Sequence, residues 1–207
     1  QTIAEALALS APFADALVTA GRWHDAGKAH AVWQAAAKRL GTDPPKDLVA
    51  KSQAEKGRIR YEGRPGFRHE LASALLALAH GQSDLVCFLV ACHHGKVRMS
   101  MRSLPFEKAP TGADGREDPS IRHARGVWEG DELPAVDLGA GLVVVPTKLT
   151  LSYMVLGDDE VTGPSWLSRV LALRDDPDLG PFRLGFLEGL IKCADERASR
   201  RAREGGA

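Results

Sequence analysis

Four short segments carry side chains suited to binding metal ions: His24-Asp25, Arg68-His69-Glu70, His93-His94 and Asp195. Imidazole nitrogen and hard carboxylate oxygen together suit divalent ions, and one carboxylate can bridge two of them. The sharpest segment is Trp23-His24-Asp25-Ala26-Gly27-Lys28, within an apolar helical pattern. Neighbouring helical residues point about 100° apart, so His24 and Asp25 reach one centre only where the helix presses against it. Gly27 leaves room for another backbone or a phosphate, and Lys28 can pair with that phosphate. His93-His94-Gly95 ends an apolar run, and buried imidazoles need partners. Each segment alone also suits a plain role: a surface His-Asp pair, a helix cap before Gly95, a polar helix start, a solvated acid. Together they point to one metal site. His30, His80 and His123 match no such segment and are assigned structural or solvent-facing roles.

The elements that must position these residues are mainly helical. Apolar residues recur at three- and four-residue steps from Thr2 to Ala29, broken near Ser10–Pro12, which predicts a helix, a turn and a second helix. The helical pattern continues from Ala29 to Leu40 until Gly41, Pro44 and Pro45 stop it. Residues 41–67 form a polar, basic loop. Leu71–Ala79 and Asp84–His94 are two buried helices joined by Gly81-Gln82-Ser83. Residues 95–146 show little helical period, with a short strand expected at Leu142–Val145. Helices are predicted at Lys148–Leu156, Trp166–Leu173 and Pro181–Arg203, the last with Phe182, Phe186, Leu187, Leu190, Ile191 and Ala194 as its apolar positions. The fold class is therefore all-α: one helical-bundle domain over residues 1–207 with a long irregular insertion at about 95–146.

Bulk properties exclude some classes. Lys+Arg and Asp+Glu both number 27, so any polyanion must be held by local patches or by metal. Lys96, Arg98 and Arg102 follow the His-His pair, while Lys56, Arg58, Arg60, Arg64 and Arg68 lead into His69; both clusters could line a groove for a nucleic-acid backbone. Trp128 and Trp166 are candidates for base stacking, with core packing favoured for Trp166. Three scattered cysteines (Cys87, Cys92, Cys193) form no disulfide framework and suit a reducing cytoplasm. No apolar run reaches the roughly 18–20 residues that span a bilayer, so no membrane role is expected.

The order His-Asp, His, His-His, Asp, each on a helix, resembles the HD phosphohydrolase superfamily. The stretches RWHDAGKAHAVWQ (Arg22–Gln34), RHELASALLAL and ACHHG resemble more narrowly the HD nuclease domain of the CRISPR-associated type I helicase-nuclease. The tail Gly163–Ser199 is similar to the end of that domain, in the subtype whose nuclease is fused behind the helicase. The resemblance implies that Asp25 bridges two metals. His69, His93 and His94 would complete one site, and His24 and Asp195 the other. Lys28 would hold the scissile phosphate, and Ser199 would touch substrate. It implies two divalent ions of the iron, manganese, cobalt or nickel kind, with magnesium or zinc as alternatives. The family usually has a further histidine before the HD pair. None precedes His24, so that ligand is expected upstream of Gln1, or one metal site is incomplete.

The implied activity is metal-dependent hydrolysis of single-stranded DNA in the prokaryotic cytoplasm. Its implied partners are a DNA helicase, fused or separate, and a guide-RNA surveillance complex. No phosphate-cradling Gly-x-x-x-x-Gly-Lys loop is in the chain, so the motor lies elsewhere. Two other readings stay open: an HD-type hydrolase of nucleotides, and a weakened HD domain acting only as an interaction module.

Overall fold

A computed structural model describes residues 7–39 and 60–204, apart from the side chains of residues 202 and 203. The expected helix at Thr2–Leu9, Lys56, Arg58 and most of the 41–67 loop lie largely outside the described residues.

Helix α1 (Ala11–Trp23) starts where extended Ser10 precedes Pro12, whose fixed φ and missing N–H suit a first helical turn. It stops sooner than the sequence pattern suggests. Asp25 leaves helical geometry (φ −102°, ψ −1°), and a 3-10 turn covers Ala26–Ala29. The HD pair therefore sits at a helix end, not inside a helix. Extended His30 (ψ 136°) breaks the chain again, and its side chain accepts a hydrogen bond from Val32 N to cap α2 (Ala31–Lys38). The helix expected over Ala29–Leu40 is thus a separate, shorter element.

Helix α3 (His69–Ala79) is the centre of the domain, buried at every position from His69 to Leu78. Helix α4 (Asp84–Cys92) packs on it, capped by Ser83 and buried from Val86 to Cys92. Fully buried Leu71, Leu75, Leu76 and Leu89 each contribute about 1.5–3 kcal/mol by leaving water. Helix α1 lies across α4, and the C-terminal pair α5 (Trp166–Asp175) and α6 (Gly180–Glu204) closes the core with Trp166, Val170, Leu184, Leu187 and Ile191. Phe182 and Phe186, expected on the inner face of α6, are instead 92% and 49% exposed.

The domain is mainly helical but not purely so: the insertion is irregular over residues 95–122 apart from a bridge between Thr111 and Glu117, and two-residue strands follow. Four short antiparallel pairs run through residues 123–164, beside six α-helices among the described residues. Strands β1 (His123–Ala124) and β2 (Val127–Trp128) form a hairpin. The pair β3 (Glu132–Leu133) and β6 (Thr147–Lys148) encloses β4 (Val136–Asp137) and β5 (Val143–Val144). Strands β7 (Asp158–Asp159) and β8 (Gly163–Pro164) follow. The strand expected at Leu142–Val145 is β5. The helix expected at Lys148–Leu156 is absent: Lys148 pairs with Glu132, Leu149 and Leu151 are buried at alternate positions, and a 3-10 turn at Ser152–Met154 then buries Tyr153. Alternating burial of that kind belongs to extended chain.

One close approach joins the HD turn to α3. A Cβ on Gly27 would lie 2.1 Å from the His69 carbonyl oxygen and 2.7 Å from Ser73 N. Of the two roles open to Gly27, backbone contact is the one observed. Its N–H donates to Ser73 Oγ (2.7 Å), which donates to the His24 carbonyl (2.8 Å). Gly27→Ala is expected to destabilise the protein by about 3 kcal/mol, the upper range for overpacking, as measured by urea unfolding.

Candidate metal centre

Each ligand candidate is held by a local device that follows from its place in sequence. His24 and His93 both fall at helix C-termini, where carbonyls three residues back are free to accept. His24 Nδ1 lies 2.8 Å from Gly21 O, and His93 Nδ1 lies 2.7 Å from Val90 O. A ring that donates from Nδ1 keeps its lone pair on Nε2. His69 opens α3, with Nδ1 3.7 Å from the Glu70 carboxylate, and Asp195 lies on α6.

These devices aim the rings at one another. The His69, His93 and His94 ligand nitrogens lie within 4.8 Å of one another. The ring centroids of His93 and His94 are 4.1 Å apart, and those of His24 and His93 are 5.0 Å apart. Asp25 stands between two groups. Its Oδ1 is 3.3 Å from His69 Nε2, and its Oδ2 is 3.4 Å from His24 Nε2. Asp195 Oδ1 completes the second group, 3.5 Å from His24 Nε2. The Nε2 atoms of His24, His69 and His93 are buried and make no hydrogen bond. Buried polar atoms are almost always satisfied, so these three nitrogens, two of them within 3.4 Å of the Asp25 carboxylate, fit a divalent cation well.

The electrostatics agree. Burial and the neighbouring His94, His24 and His69 push His93 down to about 3, so it is neutral at any ordinary pH. His94 is lowered too, by burial and by His69. Burial alone would raise the Asp25 carboxyl, but His69, His24 and Lys28 outweigh it and hold it far below the usual range. His24 differs: burial opposes its charge, yet Asp195, Asp25 and the Gly21 carbonyl lift its pKa. Asp195 is held low by His24. Neutral His93 and His94 beside ionised Asp25 and Asp195 match the protonation state that metal binding requires, and His24 would give up its proton on ligating.

The remaining candidates divide. Lys28 Nζ pairs with Asp25 Oδ2 at 2.6 Å, so it stands beside the metal candidates. Asp195, Glu196, Ser199 and Arg200 line an open cleft of about 470 Å³, which places Ser199 next to the centre. Lys96 and Arg102 are exposed just past His94. Arg60 is exposed, and three further basic candidates are engaged elsewhere. Arg98 pairs with Glu188 (2.7 Å), Arg64 with Asp131 (2.7 Å), and Arg68 leans towards Glu70 (3.8 Å). Trp166 is core, donating to Arg98 O at 2.6 Å, and Trp128 lies under the Arg64 guanidinium. His80 meets Thr147 Oγ1, and His123 meets Ile121 O. Cys87 and Cys92 are buried thiols, with burial pushing Cys87 up to about 12.

Glu70 was not picked out as a site residue. It is fully buried behind His69, and both its oxygens make no hydrogen bond. A lone charge in the otherwise apolar helix HELASALLALA was the available signal. A carboxylate behind a ligating histidine orients the ring and raises its basicity.

The family model described as Cas3, HD domain, matches residues 1–139. The chain belongs to that family. The match takes in His24, Asp25, Lys28, His69, His93 and His94 and ends before Asp195. No curated protein and no solved structure matches the chain. As a Cas3 HD domain it is related to the nucleases of type I CRISPR systems and to divalent-metal HD hydrolases. Among the described residues, no helix is long and apolar enough to cross a membrane.

The depressed His93 pKa sets a pH dependence for the metal-stripped Cas3 HD domain. His93 is neutral when folded but protonates near 6.5 when unfolded, so the unfolded chain gains the proton first as pH falls. Its contribution is complete above about 6.5 and lost as pH falls towards 3. Urea unfolding between pH 6.5 and 4 should show a steeper loss for the wild type than for His93→Gln, by up to about 1.4 kcal/mol per pH unit.

Proposed function

We propose that this Cas3 HD domain is a metal-dependent nuclease that hydrolyses phosphodiester bonds of single-stranded DNA delivered by a helicase. The observation that carries this reading is the Asp25 carboxylate set between the buried Nε2 atoms of His24 and His69, neither of which makes a hydrogen bond. His69, His93, His94 and Asp25 would hold one divalent ion, and His24, Asp25 and Asp195 a second. The nitrogen-rich set favours iron, manganese, cobalt or nickel over magnesium, which prefers oxygen ligands. A pair of such ions supplies a water acidified towards neutrality and charge neutralisation on the phosphate.

The chain's own residues would do the rest. Asp25 is ionised throughout the working range and needs no proton removed before it ligates. Its Oδ2 is shared with Lys28 Nζ, which lies within one side-chain swing of any phosphate resting on the centre. There the ammonium would offset charge building on a non-bridging oxygen. The open cleft at Asp195, Ser199 and Arg200 suits a continuous strand better than a small enclosed nucleotide. Exposed Lys96 and Arg102 add positive charge beside His94. The helicase, fused or separate, and the guide-RNA surveillance complex are the partners that the family suggests.

The test incubates the purified chain with Mn²⁺ or Fe²⁺ and linear single-stranded DNA. Degradation should require metal and fall more than about a hundredfold in Asp25→Ala and His94→Ala, beyond the usual loss for outer-shell partners. Turnover of dNTPs without turnover of DNA would favour a nucleotide hydrolase. Metal-independent or absent turnover in the wild type would favour an interaction module.

A further inference from the structure

The β1–β2 hairpin and the turn after it reach back onto both arms that carry ligand candidates. Asp131, just before β3, is the meeting point. His30 Nε2 lies 3.0 Å from Asp131 Oδ2. Because His30 Nδ1 accepts from Val32 N, a neutral ring carries its proton on Nε2, facing the carboxylate. Arg64 forks onto the same carboxylate, Nη1 to Oδ2 at 2.7 Å and Nη2 to Oδ1 at 3.0 Å. Trp128 N donates to Oδ2 at 2.7 Å, and the Trp128 ring lies 3.4 Å beneath the guanidinium carbon.

The hairpin tip makes the second half of the brace. Arg125 and Gly126 both have positive φ (51° and 72°), which turns the chain tightly enough to meet Phe67. A Cβ on Gly126 would lie 2.6 Å from Phe67 Cα. Arg68 N donates to Arg125 O (2.9 Å), and Arg64 Nη1 donates to Gly126 O (3.0 Å). His30 stands five residues after Asp25, and Arg64 five residues before His69. The side chains of His30, Asp131 and Arg64 are 4%, 12% and 15% exposed, so water screens their attraction little.

We propose that Asp131 is a positioning residue for the metal centre, locking the HD turn to the segment entering α3 and so setting the separation of Asp25 and His69. Asp131 touches no ligand candidate itself; it acts through His30 and Arg64. The inference rests on the metal-binding reading above and gives the insertion a role in it.

The test measures Mn²⁺ affinity of the full chain by electron paramagnetic resonance of free Mn²⁺, with thermal unfolding alongside. Asp131→Asn should weaken Mn²⁺ binding about tenfold, the lower end of the range for outer-shell partners. Arg169→Gln serves as the control. It breaks the Arg169–Asp84 pair (2.8 Å), whose contacts include no ligand candidate, and should leave Mn²⁺ affinity unchanged. His30→Gln, which keeps an N–H donor, should retain affinity that His30→Leu loses. Equal affinity in Asp131→Asn and a metal-binding wild type overturns this inference alone. Equal weakening in Arg169→Gln overturns it too, by showing a general stability effect. A wild type that binds no Mn²⁺ overturns the metal reading and this inference together. If Asp131→Asn does not fold, Arg64→Lys takes its place under the same criteria, since it keeps the charge and loses the fork.

Discussion

The Asp25 carboxylate offers one oxygen to His69 and the other to His24, and that division organises the domain around it. A buried carboxylate is costly unless cations or donors surround it, and several neutral imidazoles crowded within a few ångströms cannot all take up protons. The arrangement is at ease when a divalent charge fills the space between the nitrogens. Lys28, at 2.6 Å, brings a full positive charge onto Asp25 from the chain itself.

Holding such a cluster demands precise backbone placement. His24 and His93 get it from helix ends, where a free carbonyl fixes Nδ1 and leaves Nε2 for the centre. Gly27 allows the HD turn to lie directly on α3, and Ser73 ties that contact at both sides. The insertion adds a further fastening through Asp131, His30 and Arg64. Buried polar atoms left unsatisfied cost stability, and the apolar packing of α3 and α4 offsets that cost nearby.

Among the described residues, the ligand candidates meet open ground at His94 and at Asp195. His94 is exposed where His93 is buried, and Asp195 borders the cleft with Ser199 and Arg200. The basic residues free to meet a polyanion there are fewer than their number in the chain suggests, because Arg64 and Arg98 are spent on internal pairs.

Residue types, their order and the family resemblance nominated His24, Asp25, His69, His93, His94 and Asp195, because imidazoles and carboxylates stand out against apolar helices. The cores of α3 to α6 were legible for the same reason: local periodicity reports local structure. What stayed hidden depended on long-range contacts. The end of α1 at Trp23 serves the geometry of the HD turn, which no local propensity encodes. Lys148–Leu156 carries enough apolar residues for a helix, but pairing with Glu132–Leu133 draws its start into a strand. Phe182 and Phe186 fit a helical stripe, yet only packing against α1 and α5 decides which face of α6 is buried. The roles of His30 and Asp131 were invisible because each is defined by what stands opposite it, whereas the charge of Glu70 in an apolar helix was a signal that could have marked it. Sequence fixes which groups can bind a metal; tertiary structure decides which of them meet, since a ligand set is a matter of ångströms and not of spacing along the chain.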